Sequence, residues 1–272
     1  MTDARFTDLL AAEWLKLRSL RSTYWALGIG ALTVLGFNAN AARNHYANYS
    51  YMPADMKADY VEWALQDAFT AGAALILILV CASVGALTVV GEYATGLIRT
   101  TFAAVPDRRA LMAAKVTVVA GAMTGYGAVV VGVSYAATQG ILSGRGADVP
   151  VSHPGVLSLL LASALLAPVS ALVGMGLGAV IRHGATTTGA ITVVLLLLPT
   201  FITDRYAWTA AVRNALPVNA WTRLVDVTYG ESAVRIYPPH YPTTVTGSWV
   251  VFAAWAAVAA VVAVMVVDRR DV

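Results

Sequence analysis

The chain has 272 residues, of which 58% are hydrophobic and only 12% charged. Soluble domains carry roughly 45–50% apolar and about 25% charged residues, so a water-soluble enzyme is excluded, and the same apolar excess excludes intrinsic disorder. A net charge of +3, with a pI near 9.0 and a mean hydropathy of +0.69, fits basic loops between membrane spans and not a nucleic-acid partner.

The first element is an amphipathic helix within residues 1–22. Phe6, Leu9, Leu10, Trp14, Leu17, Leu20 and Tyr24 recur at helical spacing on one side, while Asp8, Lys16, Arg18 and Ser19 face elsewhere. Such a helix lies in the plane of the membrane surface, with Lys and Arg able to meet lipid phosphates. Glu13 sits close to the apolar stripe and needs a partner there, either Lys16 or a cation from another segment. The plain alternative is a surface acid that snorkels to water.

Six apolar stretches follow, each near the roughly 20 residues that a membrane-spanning helix requires. They cover 23–42, 69–90, 116–139, 156–180, 185–202 and 248–267, and none contains Asp, Glu, Lys, Arg or His. The first has a rival reading as a signal peptide, because Ala39-Asn40-Ala41 mimics a cleavage site. The stretch before it, with Asp3, Asp8 and Glu13, is unlike a short basic leader. With the N-terminus placed inside, eleven of the 18 Lys and Arg residues fall in the shorter, inner segments, from Arg5 to Arg270, and the outer ones include Arg43, Lys57 and Arg235. Both termini are therefore expected in the cytoplasm, and the chain in the cytoplasmic membrane as a single multi-pass domain, 1–272.

The spans are also informative for what they lack. Ion-coupled carriers place ionisable groups at membrane depth, and these stretches offer none. There is no His-Glu-x-x-His and no Gly-x-x-x-x-Gly-Lys-Ser/Thr, so neither zinc proteolysis nor P-loop ATP hydrolysis is expected of this chain. The four histidines, His45, His153, His183 and His240, are all read as loop residues with no ligand spacing, and Cys81 is the sole cysteine. No metal or catalytic residue is assigned. Gly121-x-x-x-Gly125 and Gly174-x-x-x-Gly178 permit close helix approach within the bundle. Pro168 and Pro199 should kink or end the fourth and fifth spans. The polar stretch from Thr203 to Gly247 is interrupted by Pro217, Pro238, Pro239 and Pro242.

The segment joining the second and third spans, Gly91 to Lys115, is too long for a turn. Within it Leu97, Thr100, Thr101 and Ala104 lie on one side of a short helix that Pro106 stops. Three runs then carry a resemblance: Glu13-Trp14-Leu15-Lys16-Leu17-Arg18-Ser19, the stretch Glu92-Tyr93-x-x-Gly96-x-x-Arg99-Thr100-Thr101 with Pro106, Arg108, Arg109 and Lys115, and Leu216-Pro217-x-Asn219-Ala220. Together with six spans, they make the chain resemble the permease subunits of type-2 ABC exporters over its whole length.

The resemblance implies an all-α membrane protein that pairs with a second permease chain, as a homodimer or heterodimer. A separate nucleotide-binding ATPase would hold the ATP and magnesium; this chain would hold no cofactor. It also implies a coupling helix over 92–106 that docks into the ATPase, with Glu92, Gly96, Leu97, Arg99, Thr100, Thr101 and Pro106 as its residues. Glu13, Trp14, Lys16 and Arg18 would belong to an interface helix touching membrane and ATPase, Arg108, Arg109 and Lys115 would lie at the membrane edge among lipid headgroups, and the Arg182-His183-Gly184 turn would be a minor second contact. Ala207 to Leu216 would match the short helices that the family carries before its last span. A large outer domain is missing, which argues against polysaccharide export, and an apolar pathway suits an amphiphilic or hydrophobic cargo such as a drug, antibiotic, lipid or peptide. The competing reading is a membrane scaffold or sensor subunit that binds a cytoplasmic partner without transport.

Overall fold

The computed structural model describes residues 5–226 and 241–269. Asp3, Arg235, Pro238, Pro239, His240 and Arg270 lie outside the described residues. Within them the order is α1 (Phe6–Ser19), α2 (Arg21–Asn48), α3 (Lys57–Leu65), α4 (Ala71–Ala94), α5 (Leu97–Ala104), α6 (Arg108–Ser143), α7 (Val156–Ile181), α8 (Gly184–Ile191), α9 (Leu198–Phe201), α10 (Ala207–Asn214), α11 (Pro217–Val225) and α12 (Val245–Arg269). Among the described residues, six helices are long and apolar enough to cross a membrane, the fifth formed by α8, α9 and the turn between them. The chain is a multi-pass membrane protein.

The helices outrun the apolar stretches that announce them. The first span reaches Asn48 and not Ala42, and the third begins at Arg108 and not Val116. A hydropathy window stops at the first charge, whereas a helix stops where capping takes over its backbone groups. Asp107 does this for α6, its carboxylate accepting from the Ala110 amide at 2.9 Å, and Thr70 does it for α4 by accepting from Ala73. His45 accordingly lies in α2 and not in a loop, bonded to Asp67. His183 caps α8 by accepting from the Thr186 amide.

The helices α4 and α7 form the buried centre, and the other spans wrap them with apolar side chains facing outward, among them Trp25, Ile29, Leu32, Val129 and Val258. Glycine sets how close the central pair comes. A Cβ on Gly85 would lie 1.9 Å from the Ala171 carbonyl oxygen, and one on Gly174 would lie 1.9 Å from that of Ala82. Gly178 continues the seam, where an added Cβ would lie 3.2 Å from the Ala86 carbonyl oxygen. The two small-residue pairs therefore divide. Gly174 and Gly178 pack within the bundle as expected, but Gly121 and Gly125 face open space.

Pro168 does not end its helix, since α7 runs on to Ile181. Proline lacks the amide that would bond the carbonyl four residues back, here that of Ala164. Gly127 of α6 comes close at that point, where an added Cβ would meet the Ala164 oxygen at 2.2 Å. The glycine lets α6 approach the carbonyl that proline has released. Before Pro199 the fifth span widens into a π turn, Thr192–Leu197, and it ends two residues after the proline.

Beyond the fifth span, the described part of what the sequence presents as a polar stretch holds two short helices, α10 and α11. Pro217 is the first residue of α11, where its missing amide costs nothing. Trp221 is buried, donates to the Ser163 hydroxyl at 3.1 Å and meets Phe69 edge to face. At this end Asn38, fully buried, joins α2 to α4 and α6. Its amide nitrogen donates to Ser134 at 2.7 Å, and its oxygen accepts from the Thr70 amide and hydroxyl at 3.0 and 2.8 Å.

Candidate functional site

At the opposite end of the bundle three helices bring four charges together. Leu9, Glu13 and Leu17 recur every fourth residue of α1 and are its buried positions. Leu9 packs with Leu111 and Ala114 of α6, beside Phe102 and Val105. Docking that stripe buries Glu13 with it. The expected side of α1 is therefore narrower than the apolar pattern, because Phe6, Trp14 and Leu20 remain exposed.

Glu13 obtains both of the partners that the sequence offers as alternatives. Its Oε1 accepts from Lys16 Nζ at 2.7 Å and its Oε2 from Lys115 Nζ at 2.5 Å. Glu92, two residues from the end of α4, completes the group. Its Oε1 accepts from Lys115 at 2.8 Å and from Lys16 at 3.1 Å. Glu13 and Lys115 are each 3% exposed and Glu92 7%, while Lys16 reaches the surface. Two carboxylates and two ammonium groups leave the quartet formally neutral, which is how such charges are carried out of water. Burial pushes the Lys16 ammonium down, but its bond to Glu13 and the attraction of Glu92 and Glu13 outweigh this and hold it above the ordinary lysine value.

The quartet changes the placement of two expected site residues. Lys115, expected at an exposed membrane edge with Arg108 and Arg109, is buried between the carboxylates because α6 begins seven residues before it. Glu92 belongs to α4 and not to the short helix that follows, so the expected element over 92–106 narrows to α5, Leu97–Ala104. Arg109 pairs with Asp268 of α12 at 2.8 Å, and Arg108 lies over the Phe102 ring.

The turn between α4 and α5 depends on Gly96, which adopts φ +71°, a conformation that side chains disfavour. In α5 the buried residue is Ile98, and Leu97, Arg99 and Thr100 are exposed, with Thr101 partly covered. The helix stops at Ala104 because Val105, preceding Pro106, is extended. Nearby, Arg182 takes φ 59° and stacks its guanidinium 4.5 Å from the Tyr93 ring, tying the end of α7 to the end of α4. Trp14 and Arg18 of α1 face outward.

A cavity of about 310 Å³ opens beside the quartet. Its walls are apolar, including Leu17, Leu20, Leu87, Val118 and Val119, and Glu92 forms part of its surface. The second oxygen of Glu92, Oε2, is buried and receives no hydrogen bond.

Compared with known proteins, the chain matches no family model, and no curated protein matches it. The geometry of the quartet and of α5 therefore carries the functional argument.

Proposed function

We propose that the chain is the membrane-spanning permease subunit of an ATP-driven exporter, paired with a second permease chain and driven by a separate ATPase that binds ATP and magnesium. The observation that carries this reading is α5. It is a short helix with one buried anchor, Ile98, and an outward row of Leu97, Arg99 and Thr100, a surface made for a partner and not needed by a simple connector. On this reading α5 docks into the ATPase, and the end of the bundle holding α1, α5 and the end of α12 faces the cytoplasm.

The route for force follows from the contacts. A push on α5 reaches α4 through the Gly96 turn, and the quartet carries it to α1 and α6 together. From α4 it passes to α7 across the Gly85 and Gly174 seam, where backbones in contact leave little slack. The π turn before Pro199 gives the fifth span a place to change register. The cargo on this reading is amphiphilic or hydrophobic.

The test is purification of the tagged chain from its host and identification of what accompanies it. The expected result is a P-loop ATPase in stoichiometric amount, whose hydrolysis rate changes when the chain is present. Arg99→Glu and Gly96→Pro should abolish that change while the protein still inserts. A preparation with no ATPase, or coupling unchanged in both variants, overturns the proposal and favours a scaffold.

A further inference from the structure

We infer that a cavity at the end of the bundle away from the quartet binds an organic ammonium ion with an aromatic or apolar body, held by a hydrogen bond to Asp67 Oδ1. This does not rest on the exporter reading, because the site lies wholly within one chain. The space measures about 520 Å³, within the range of small-molecule sites. His45 of α2 and Asp67, in the turn before α4, stand on its wall, and Trp63, Phe69 and Trp221 bring three aromatic rings to it.

Asp67 sets the polar end. The residue is 5% exposed, and its Oδ2 is bonded to His45 Nδ1. No described residue donates to Oδ1, and unlike Glu92 Oε2 this oxygen is not sealed from the open space that Asp67 lines. An ionised carboxylate only accepts, so the occupant brings an N–H or O–H, and a charged donor forms a bond about twice as strong as a neutral one. A guanidinium fork matches both oxygens of a carboxylate, but His45 holds one of them. A metal ion wants more ligands than this pair supplies, and among the described residues no third His, Cys, Asp or Glu joins them. An ammonium needs one oxygen only. The rings complete the selection, since the faces of Trp and Phe attract cations, and Leu159 adds an apolar wall for the rest of the molecule. The carboxylate of Asp226, also on the wall, opposes an anion.

The test uses the full chain in discs of phosphatidylcholine, dialysed at neutral pH against phenethylamine, 2-phenylethanol or phenylacetate, with empty discs subtracted. Phenethylamine should bind saturably and roughly tenfold more tightly than 2-phenylethanol, the scale that separates a charged from a neutral hydrogen bond. Phenylacetate should show no saturable binding. Asp67→Asn should erase the preference for the amine. Ala71 lines the cavity at the exposed start of α4, so Ala71→Trp fills the space and leaves Asp67 and His45 in place. That variant should lose binding, which decides the matter even where Asp67→Asn fails to fold. Equal affinity for amine and alcohol, saturable binding of phenylacetate, an amine preference kept by Asp67→Asn, or wild-type binding by a folded Ala71→Trp protein overturns the inference.

Discussion

Glu13 and Lys115 are 102 residues apart in the chain and 2.5 Å apart in the structure. Their contact fastens the first helix to the start of the third span, and Glu92 fastens both to the helix that leads into α5. Removing one member of a buried pair leaves the other uncompensated, at about 3–5 kcal/mol. Glu13→Gln and Lys115→Met should each lower the unfolding midpoint strongly in detergent. The double variant should lose clearly less than the sum of the two, because no charge is then left unpaired between them. Additive losses in this double-mutant cycle would show that the pair does not interact.

Lys16 gives the quartet a pH signature at the alkaline end. Burial lowers its pKa, but hydrogen bonding to Glu13 and the attraction of both carboxylates raise it further, to above 10.5. A raised pKa contributes stability that is complete below the unfolded value and is lost as pH climbs through the folded one. The difference in stability between wild type and Lys16→Met should therefore be constant from pH 6 to about 10 and shrink above 10.5. Thermal unfolding across that range checks it, and a difference that shrinks on the acid side of neutrality would contradict the assignment.

Much of this was legible in the sequence, and the reasons for the rest are specific. Hydropathy finds all six spans because a bilayer demands long apolar helices, yet it ends the second at Val90 and begins the third only at Val116. It thereby leaves Glu92 and Lys115 just outside, although the helices continue past both. The need of Glu13 for a partner follows from its place beside an apolar stripe, but periodicity along one helix cannot say which distant segment supplies it. Asn38, Ser134 and Thr70 were missed for the same reason, since their bonds join three elements across the fold. The π turn at Thr192–Leu197 is a change in hydrogen-bond register with no mark in residue type.

Glycine shows the same limit and yields a prediction. Gly174 and Gly121 open the same small-residue spacing, but one meets a backbone carbonyl and the other open space. Gly174→Ala and Gly85→Ala must push α4 and α7 apart, because the obstacle is backbone and cannot rotate away. Each should cost about 1–3 kcal/mol or more, the range of overpacked cores. Gly121→Ala, in an open helical position, should be neutral or stabilise by up to about 1 kcal/mol. Unfolding midpoints of the three variants decide it, and equal effects would refute the seam.

Asn38 offers a comparable test at the other end of the bundle. Asn38→Leu keeps most of the volume but leaves the Thr70 amide and hydroxyl and the Ser134 hydroxyl short of a partner. Buried groups left in that state cost about 1–3 kcal/mol. The variant should unfold earlier by that amount, and slowed hydrogen exchange at Thr70 in the wild type should be lost. An unchanged midpoint would mean that water supplies the missing bonds.

The two sides of α5 should separate stability from coupling. Ile98 is 2% exposed and anchors the helix, whereas Leu97 is 46% exposed and Arg99 also faces outward. Ile98→Ala removes buried methyl groups and should cost about 2–3 kcal/mol, with α5 becoming the first segment to exchange its amides. Surface changes away from such contacts stay within about 0.5 kcal/mol, so Leu97→Ala and Arg99→Glu should unfold as wild type does. If α5 docks on an ATPase, those two variants should nevertheless lose their effect on its hydrolysis rate. Loss of coupling without loss of stability is the signature of a docking face. Coupling that falls only when stability falls would assign α5 a structural role alone.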